Sequence, residues 1–256
     1  MIELTNVERR GDLYFKRDDM FTVCGVNGGK ARAAYHIIQD AINKGFNSFV
    51  TAGSRMSPQC EIVSAICESL HVSCHLFMPQ GKETSIIRNI KHSDFSTIHR
   101  TKVGYNSVLL HDAKAFAYEH KHYYIPFGME CEENIEVTKH QVKNIPDDVK
   151  RIVIPCGSGM SMISVIKGLQ YYSMFDKNVV GVVVGKNPQK TFDRFLGGLF
   201  NEVTIKYDFV RSEQRYDEQA KKQAIYGLEL DPIYESKCIP FLHSGDLLWV
   251  VGKRKT

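Results

Sequence analysis

Between Asn178 and Gly185 the chain reads Val179-Val180-Gly181-Val182-Val183-Val184, with no polar residue on either alternating face. A strand with one wet face alternates polar and apolar residues. A strand apolar on both faces must be covered on both, as in a parallel sheet between helical layers. Arg151-Ile152-Val153-Ile154-Pro155 has the same character. Shorter strand patterns fall at residues 46–51, 72–78, 95–99, 123–125 and 203–205. Between them lie helical patterns at 31–44, 85–91, 107–120 and 133–144. Others start at Ser57-Pro58, run through Val165, Ile166 and Leu169, and include Phe192, Phe195 and Leu196. Ala34, Ile37, Ile38, Ala41 and Ile42 recur at helical spacing, with Gly45 placed as a C-cap. Strands alternating with helices predict an α/β fold with parallel sheets. With no repeat, low-complexity tract or linker in 256 residues, a second domain is expected as an insertion.

The next constraint is chemical. In Val26-Asn27-Gly28-Gly29-Lys30-Ala31-Arg32-Ala33 two glycines permit a sharp backbone turn, and a lysine follows where a helix begins. The positive end of a helix dipole disfavours a further positive charge, which pushes such a lysine towards its neutral, nucleophilic amine. An amine of that kind can form a Schiff base with an aldehyde cofactor. Gly157-Ser158-Gly159-Met160-Ser161 lies between a strand and a helix, where small residues leave backbone N–H groups free for an anion. The alternative is a tight strand-to-helix turn. The segment is no Walker loop, since its lysine and spacing are missing. Thr51-Ala52-Gly53-Ser54 ends another strand, so its hydroxyls are expected at the same kind of crevice. Tyr234 and Glu235 stand side by side between turn signals; a tyrosine can move protons, and a carboxylate can keep a heterocyclic nitrogen protonated.

Composition removes several classes. With 43% hydrophobic and 24% charged residues the chain reads as globular, and no apolar run is long enough to span a bilayer. Seven cysteines, an odd number without a Cys-x-x-Cys pair, argue against a disulfide framework or zinc ribbon. His71 and His75 fall across a helix-to-strand turn, so no metal site is expected. A net charge of +4 and the short tail Lys253-Arg254-Lys255 do not make a nucleic-acid arm. The start lacks a signal-peptide pattern, so a reducing cytoplasm is expected.

Taken in order, these segments resemble the fold-type II pyridoxal-phosphate enzymes, the tryptophan synthase β-like group. The likeness is to the branch holding 1-aminocyclopropane-1-carboxylate deaminase and D-cysteine desulfhydrase. Lys16-Arg17-Asp18-Asp19 followed by Gly28-Gly29-Lys30-Ala31-Arg32 is similar to that branch's lysine segment, which implies Lys30 as the Schiff-base residue. Thr51-Ala52-Gly53 with Ser57 resembles the segment whose serine acts on substrate. Gly157, Ser158, Gly159, Met160 and Ser161 resemble the phosphate-binding loop. Asp231-Pro232-Ile233-Tyr234-Glu235-Ser236-Lys237 is similar to the segment with an active-site tyrosine, whose following glutamate partners the pyridine nitrogen. Two departures stand out. Gly29 meets Lys30 without the usual asparagine between, and Ser57-Pro58-Gln59 replaces Ser-Asn-His.

The resemblance implies pyridoxal 5'-phosphate as cofactor and a two-domain enzyme, with residues 1–32 and 128–256 as the larger domain and 33–127 as the smaller. It implies a lyase or deaminase acting on a small amino acid by deamination, β-elimination or β-replacement, with Lys30, Ser57 and Tyr234 catalytic. A homodimer is expected, with no membrane or stable nucleic-acid partner. Two alternatives stay open: an enzyme acting on an aminoacyl group carried by a nucleotide or other large molecule, and a cofactor-binding protein without catalysis.

Overall fold

A computed structural model describes residues 3–55, 58–102, 106–197 and 204–253. The chain divides into two compact units, Met1–Phe21 with Asn134–Thr256 and Thr22–Glu133. Residues 22–32, expected with the larger domain, group here with the smaller unit, as do residues 128–133.

The larger unit opens with β1 (Val7–Arg10) and β2 (Leu13–Arg17), followed by a 3-10 turn at Asp18–Met20. The smaller unit begins with a short ladder, β3 (Thr22–Val23) and β4 (Val26–Asn27), leading into α1 (Gly29–Asn43). It continues through β5 (Ser48–Ala52), α2 (Gln59–Ser69), β6 (Ser73–Pro79), α3 (Ser85–Lys91), β7 (Ser96–Thr101), α4 (Asn106–Glu119) and β8 (Tyr123–Ile125). After α5 (Glu132–Lys139) and a 3-10 turn at His140–Asn144 come β9 (Arg151–Cys156), α6 (Met160–Tyr171), β10 (Asn178–Val183), α7 (Gln189–Leu196) and β11 (Lys206–Arg211). A hairpin of β12 (Ala224–Ile225) and β13 (Leu228–Glu229), a 3-10 turn at Glu235–Phe241 and β14 (Leu247–Val250) complete the chain. Of the strand expected at 203–205, Val203 lies outside the described residues and 204–205 precede β11, and the helix expected over 133–144 tightens to 3-10 geometry from His140.

The larger sheet runs β1-β2-β14-β9-β10-β11, with only β1 antiparallel to its neighbour. Its two faces carry separate cores. Val179 and Val183 pack with Ile152, Ile154, Met162, Ile166 and Trp249 on one, and Val182 and Val184 with Phe15, Val153, Leu248 and Val250 on the other. Gly181 interrupts the valine run because a Cβ there would meet Met162 Sδ at 2.5 Å. The β14–β9 ladder ends at Val153, so Pro155 has a ladder partner on the β10 side alone and its missing N–H is tolerated. A buried polar network ties the start of the chain to this sheet. Lys16 Nζ donates to Thr5 O and Asn144 Oδ1 at 2.7 Å, and Thr5 Oγ1 and Trp249 Nε1 donate to the two oxygens of Asp18.

In the smaller unit four parallel strands run β7-β6-β5-β8. α4 covers one face through Leu109, Ala113 and Ala117 against Val50, Ala52 and Phe77. α1 buries Ala34, Ile37, Ile38 and Ala41 of the stripe its periodicity predicts, adds Ala33, leaves Ile42 half-buried, and packs on α2. It ends in a Schellman motif: Phe46 N–H reaches Ala41 O at 3.0 Å, Gly45 N–H reaches Ile42 O at 2.8 Å, and Gly45 sits at φ +92°. Among the described residues no helix is long and apolar enough to cross a membrane.

Candidate active site

Ligands of parallel α/β sheets gather where strands end and helices begin. In the larger unit β9 ends at Cys156, and Gly157-Ser158-Gly159 turn the chain into α6. Gly159 is the N-cap at φ +93°, a conformation that L side chains rarely adopt, and a Cβ there would meet Phe192 Cε2 at 2.8 Å. The N–H groups of the first turn of α6, including those of Met160 and Ser161, have no acceptor within the helix and add their partial positive charge to the turn. Gly157 is small for another reason: its Cβ would come within 3.2 Å of Tyr234 Cε1. The loop and Tyr234 are therefore in contact.

Tyr234 is fixed by a turn that the sequence Asp231-Pro232-Ile233-Tyr234 encodes. Asp231 Oδ1 accepts the N–H groups of Ile233 and Tyr234 at 2.9 and 3.0 Å. The Tyr234 hydroxyl pairs with that of Tyr216 at 2.9 Å. No sequence signal marks Tyr216, which lies in a polar segment with no periodic pattern. Only the distance between the two hydroxyls brings it to the site.

Glu235 has no exposed surface. Its Oε1 accepts the Val251 N–H at 2.7 Å, just beyond the end of β14. Its Oε2 is buried with no hydrogen-bond partner among the described residues. Burial, then the negative charge of Asp231, raises its carboxyl well above the ordinary 4.5. A buried acid with one orphaned oxygen is costly unless a donor meets it. A protonated ring nitrogen is a donor of that kind.

In the smaller unit Lys30 is the second residue of α1, behind the N-cap Gly28 at φ +94°. Burial pushes the thiol of Cys60, in the first turn of α2, up to about 12. Ser57 falls outside the described residues. Its neighbour Gln59 is buried and committed: Nε2 donates to Thr51 Oγ1 at 2.9 Å and to Pro126 O at 2.8 Å. Thr51, expected to turn its hydroxyl to a crevice, is buried and donates to Ile125 O at 2.9 Å. Its role is to join β5 to β8. Among the described residues no group of three or more His, Cys, Asp and Glu could hold a metal ion.

Residues 1–227 match the family described as "Pyridoxal-phosphate dependent enzyme". The chain belongs to that family, and its cofactor is pyridoxal 5'-phosphate. It is 25% identical over 210 residues to an O-seryl-dTMP PLP-dependent decarboxylase of Salmonella phage ViI, covering 72% of this chain and 50% of that protein. It is 23% identical over 302 residues to the mitochondrial bifunctional D-cysteine desulfhydrase/1-aminocyclopropane-1-carboxylate deaminase of Arabidopsis thaliana, covering 94% of this chain and 74% of that one. This chain thus spans half the length of the phage protein. A solved ACC deaminase homologue shares the fold at TM-score 0.82, with 20% identity, 98% of this chain and 89% of that chain covered. O-ureido-L-serine synthase does so at TM-score 0.70 and 13% identity, with 98% and 89% covered. The family resemblance and the α/β fold of parallel sheets expected from sequence are both borne out.

The residues present fit the cofactor. A small-residue turn at a helix N-terminus suits a phosphate, and the orphaned Glu235 Oε2 suits a pyridinium. Gly159 cannot serve to test the phosphate assignment, because any side chain there is strained and strikes Phe192. Ser161 can. Aspartate at the second position of α6 favours the helix by about 0.3–1 kcal/mol, yet sets a carboxylate against the anion. Ser161→Asp is expected to keep or raise the Tm of the cofactor-free protein while weakening cofactor binding roughly tenfold or more. Equal cofactor affinity in the two proteins would move the phosphate elsewhere.

Proposed function

We propose that the protein is a PLP-dependent enzyme of the lyase/deaminase type, working at the α- and β-carbons of an amino acid. The observation that carries this reading is the buried Glu235 carboxyl, held at Oε1 by Val251 and unpartnered at Oε2. When bound, the cofactor supplies an electron sink for bonds at the α-carbon. In this reading the turn Gly157–Ser161 would hold its phosphate, and Glu235 Oε2 would accept a hydrogen bond from its ring nitrogen and keep that nitrogen protonated. Lys30 attaches it covalently and, once released, takes a proton from the substrate. Tyr234 exchanges a proton with substrate through its hydroxyl, which Tyr216 orients by the 2.9 Å contact. Ser57 handles a second substrate proton. The reaction is deamination, β-elimination or β-replacement.

A second reading has specific support: the substrate amino acid is carried on a nucleotide. The phage relative acts, by its name, on O-seryl-dTMP as a decarboxylase, and its match extends over 72% of this chain at 25% identity. Pro58 stands where the resembled branch has asparagine. Absorbance titration of the loaded protein separates the two. Under the first reading free D-cysteine or 1-aminocyclopropane-1-carboxylate shifts the cofactor band; under the second only a nucleotide-linked serine does. No shift with either would leave a cofactor-binding protein without catalysis.

A further inference from the structure

The carboxyl edge of the smaller unit's sheet carries cations that the chemistry above does not use. Arg55 follows β5, and its guanidinium lies across Gly81 in the loop after β6, where a Cβ would sit 2.6 Å from its Cζ and Nη1. Nη1 donates to Lys82 O at 3.0 Å, and Thr84 Oγ1 donates back to Arg55 O at 3.0 Å. The loops after two neighbouring strands are thus joined with the guanidinium held between them. One strand further, Gln80 N–H donates to Thr101 O at 2.9 Å, bringing the end of β7 to the same loop. There, Arg100 Nη1 and Thr101 Oγ1 are buried atoms with no hydrogen-bond partner among the described residues.

The charge here is not neutralised locally. Among the described residues the Arg55 side chain meets a backbone carbonyl and no carboxylate. Glu83, the acid in the intervening loop, is bonded to Lys91 at 2.5 Å, and that bond with the charges of Arg88 and Arg100 holds its carboxyl below the usual range. Two guanidiniums and the exposed Lys102 at one sheet edge match a group with two charges and several acceptor oxygens. A carboxylate would fill one fork; a phosphate reaches more of these donors.

We propose that this edge, centred on Arg55 and Arg100, binds the phosphate of a nucleotide that carries the substrate amino acid. The inference rests on the nucleotide-linked reading above. It places the anchor for the carrier on the loops that follow β5 and β6 and at the end of β7.

The test uses the loaded protein, whose cofactor already supplies the phosphate for that turn. Calorimetric titrations compare dTMP, thymidine and a short oligothymidylate. dTMP should bind and thymidine should not, with affinity falling as salt rises. Oligothymidylate binding as well as dTMP would identify phosphate within a DNA strand; dTMP alone would identify the free nucleotide. Arg55→Gln and Arg100→Gln should each weaken dTMP about tenfold or more with the cofactor spectrum unchanged, and Arg55→Lys should recover part of the loss. Lys44→Gln, at the far end of α1 where Lys44 pairs with Asp40, should change nothing. Equal dTMP affinity in the wild type and both glutamine variants would overturn the inference, as would thymidine binding as tightly as dTMP. Turnover of O-seryl-dTMP with an unaltered KM in Arg55→Gln would overturn it while sparing the nucleotide-linked reading. Arginine-dependent dTMP binding without turnover of any nucleotide-linked amino acid would do the reverse.

Discussion

In the Lys30→Ala protein, borohydride reduction is expected to leave no cofactor on the chain, and turnover is expected to fall by at least about three decades. The reason lies in how the lysines are held. Lys30 sits in the first turn of α1, where the dipole opposes its charge, behind a glycine at φ +94° that gives the backbone its sharp entry. Three lysines of the larger unit are buried and fixed by acceptors that favour the ammonium form. Lys16 donates to Thr5 O and Asn144 Oδ1, and Lys237 donates to Arg215 O at 2.6 Å. Lys177 is the strongest competitor, because burial lowers its pKa, yet its Nζ is held by the carbonyls of Pro146 and Val149 at 3.1 and 2.7 Å. Peptide mapping after reduction decides the matter. Label on Lys16, Lys167 or Lys177, or retained label in the alanine variant, would overturn the assignment.

Glu235→Gln is expected to act in opposite directions on stability and on rate. In the cofactor-free protein the carboxyl is raised well above its ordinary 4.5, so folding favours its protonated form. That contribution is fully present below pH 4.5 and is lost as pH rises towards the folded-state value. The cofactor-free wild type should therefore lose stability as pH climbs above this range, and the glutamine variant should show a flatter profile and a higher Tm at neutral pH. With cofactor bound, a protonated ring nitrogen would supply the missing donor to Oε2, and the glutamine variant forfeits that charge-assisted bond. Its turnover should drop by about one to two decades, corresponding to roughly 1–3 kcal/mol, while covalent attachment survives. Matching pH–Tm profiles together with unchanged turnover would remove Glu235 from the ring nitrogen and favour a simple β-elimination with a fast leaving group.

Features that depend only on neighbours along the chain were legible before any tertiary contact. The valine run at 179–184 required cover on both faces and found it, because a parallel strand has no other stable setting. The stripe on α1 and its Gly45 cap were legible for the same local reason, as was α3, whose bounds match the expected ones. The glycine turns before Lys30 and before α6 could be read because positive φ and close approach leave so few residue choices.

Tertiary structure decided what depends on partners far apart in the chain. β1, the β3–β4 ladder, the hairpin around Tyr226-Gly227 and β14 are too short to carry a period, and they exist because a neighbouring strand pairs with them. Thr51 read as a ligand-facing hydroxyl until the carbonyl of Ile125, 74 residues on, claimed it. Tyr216 had no local signal at all, and it enters the site through one contact with Tyr234. Glu235 shows the division within one residue. Its neighbours Asp231 to Tyr234 could be read as a turn, but the burial that raises its carboxyl and the N–H of Val251 that holds one oxygen come from the folded sheet. Periodicity reports the solvent boundary of one element, whereas desolvation and hydrogen-bond satisfaction are properties of several elements packed together.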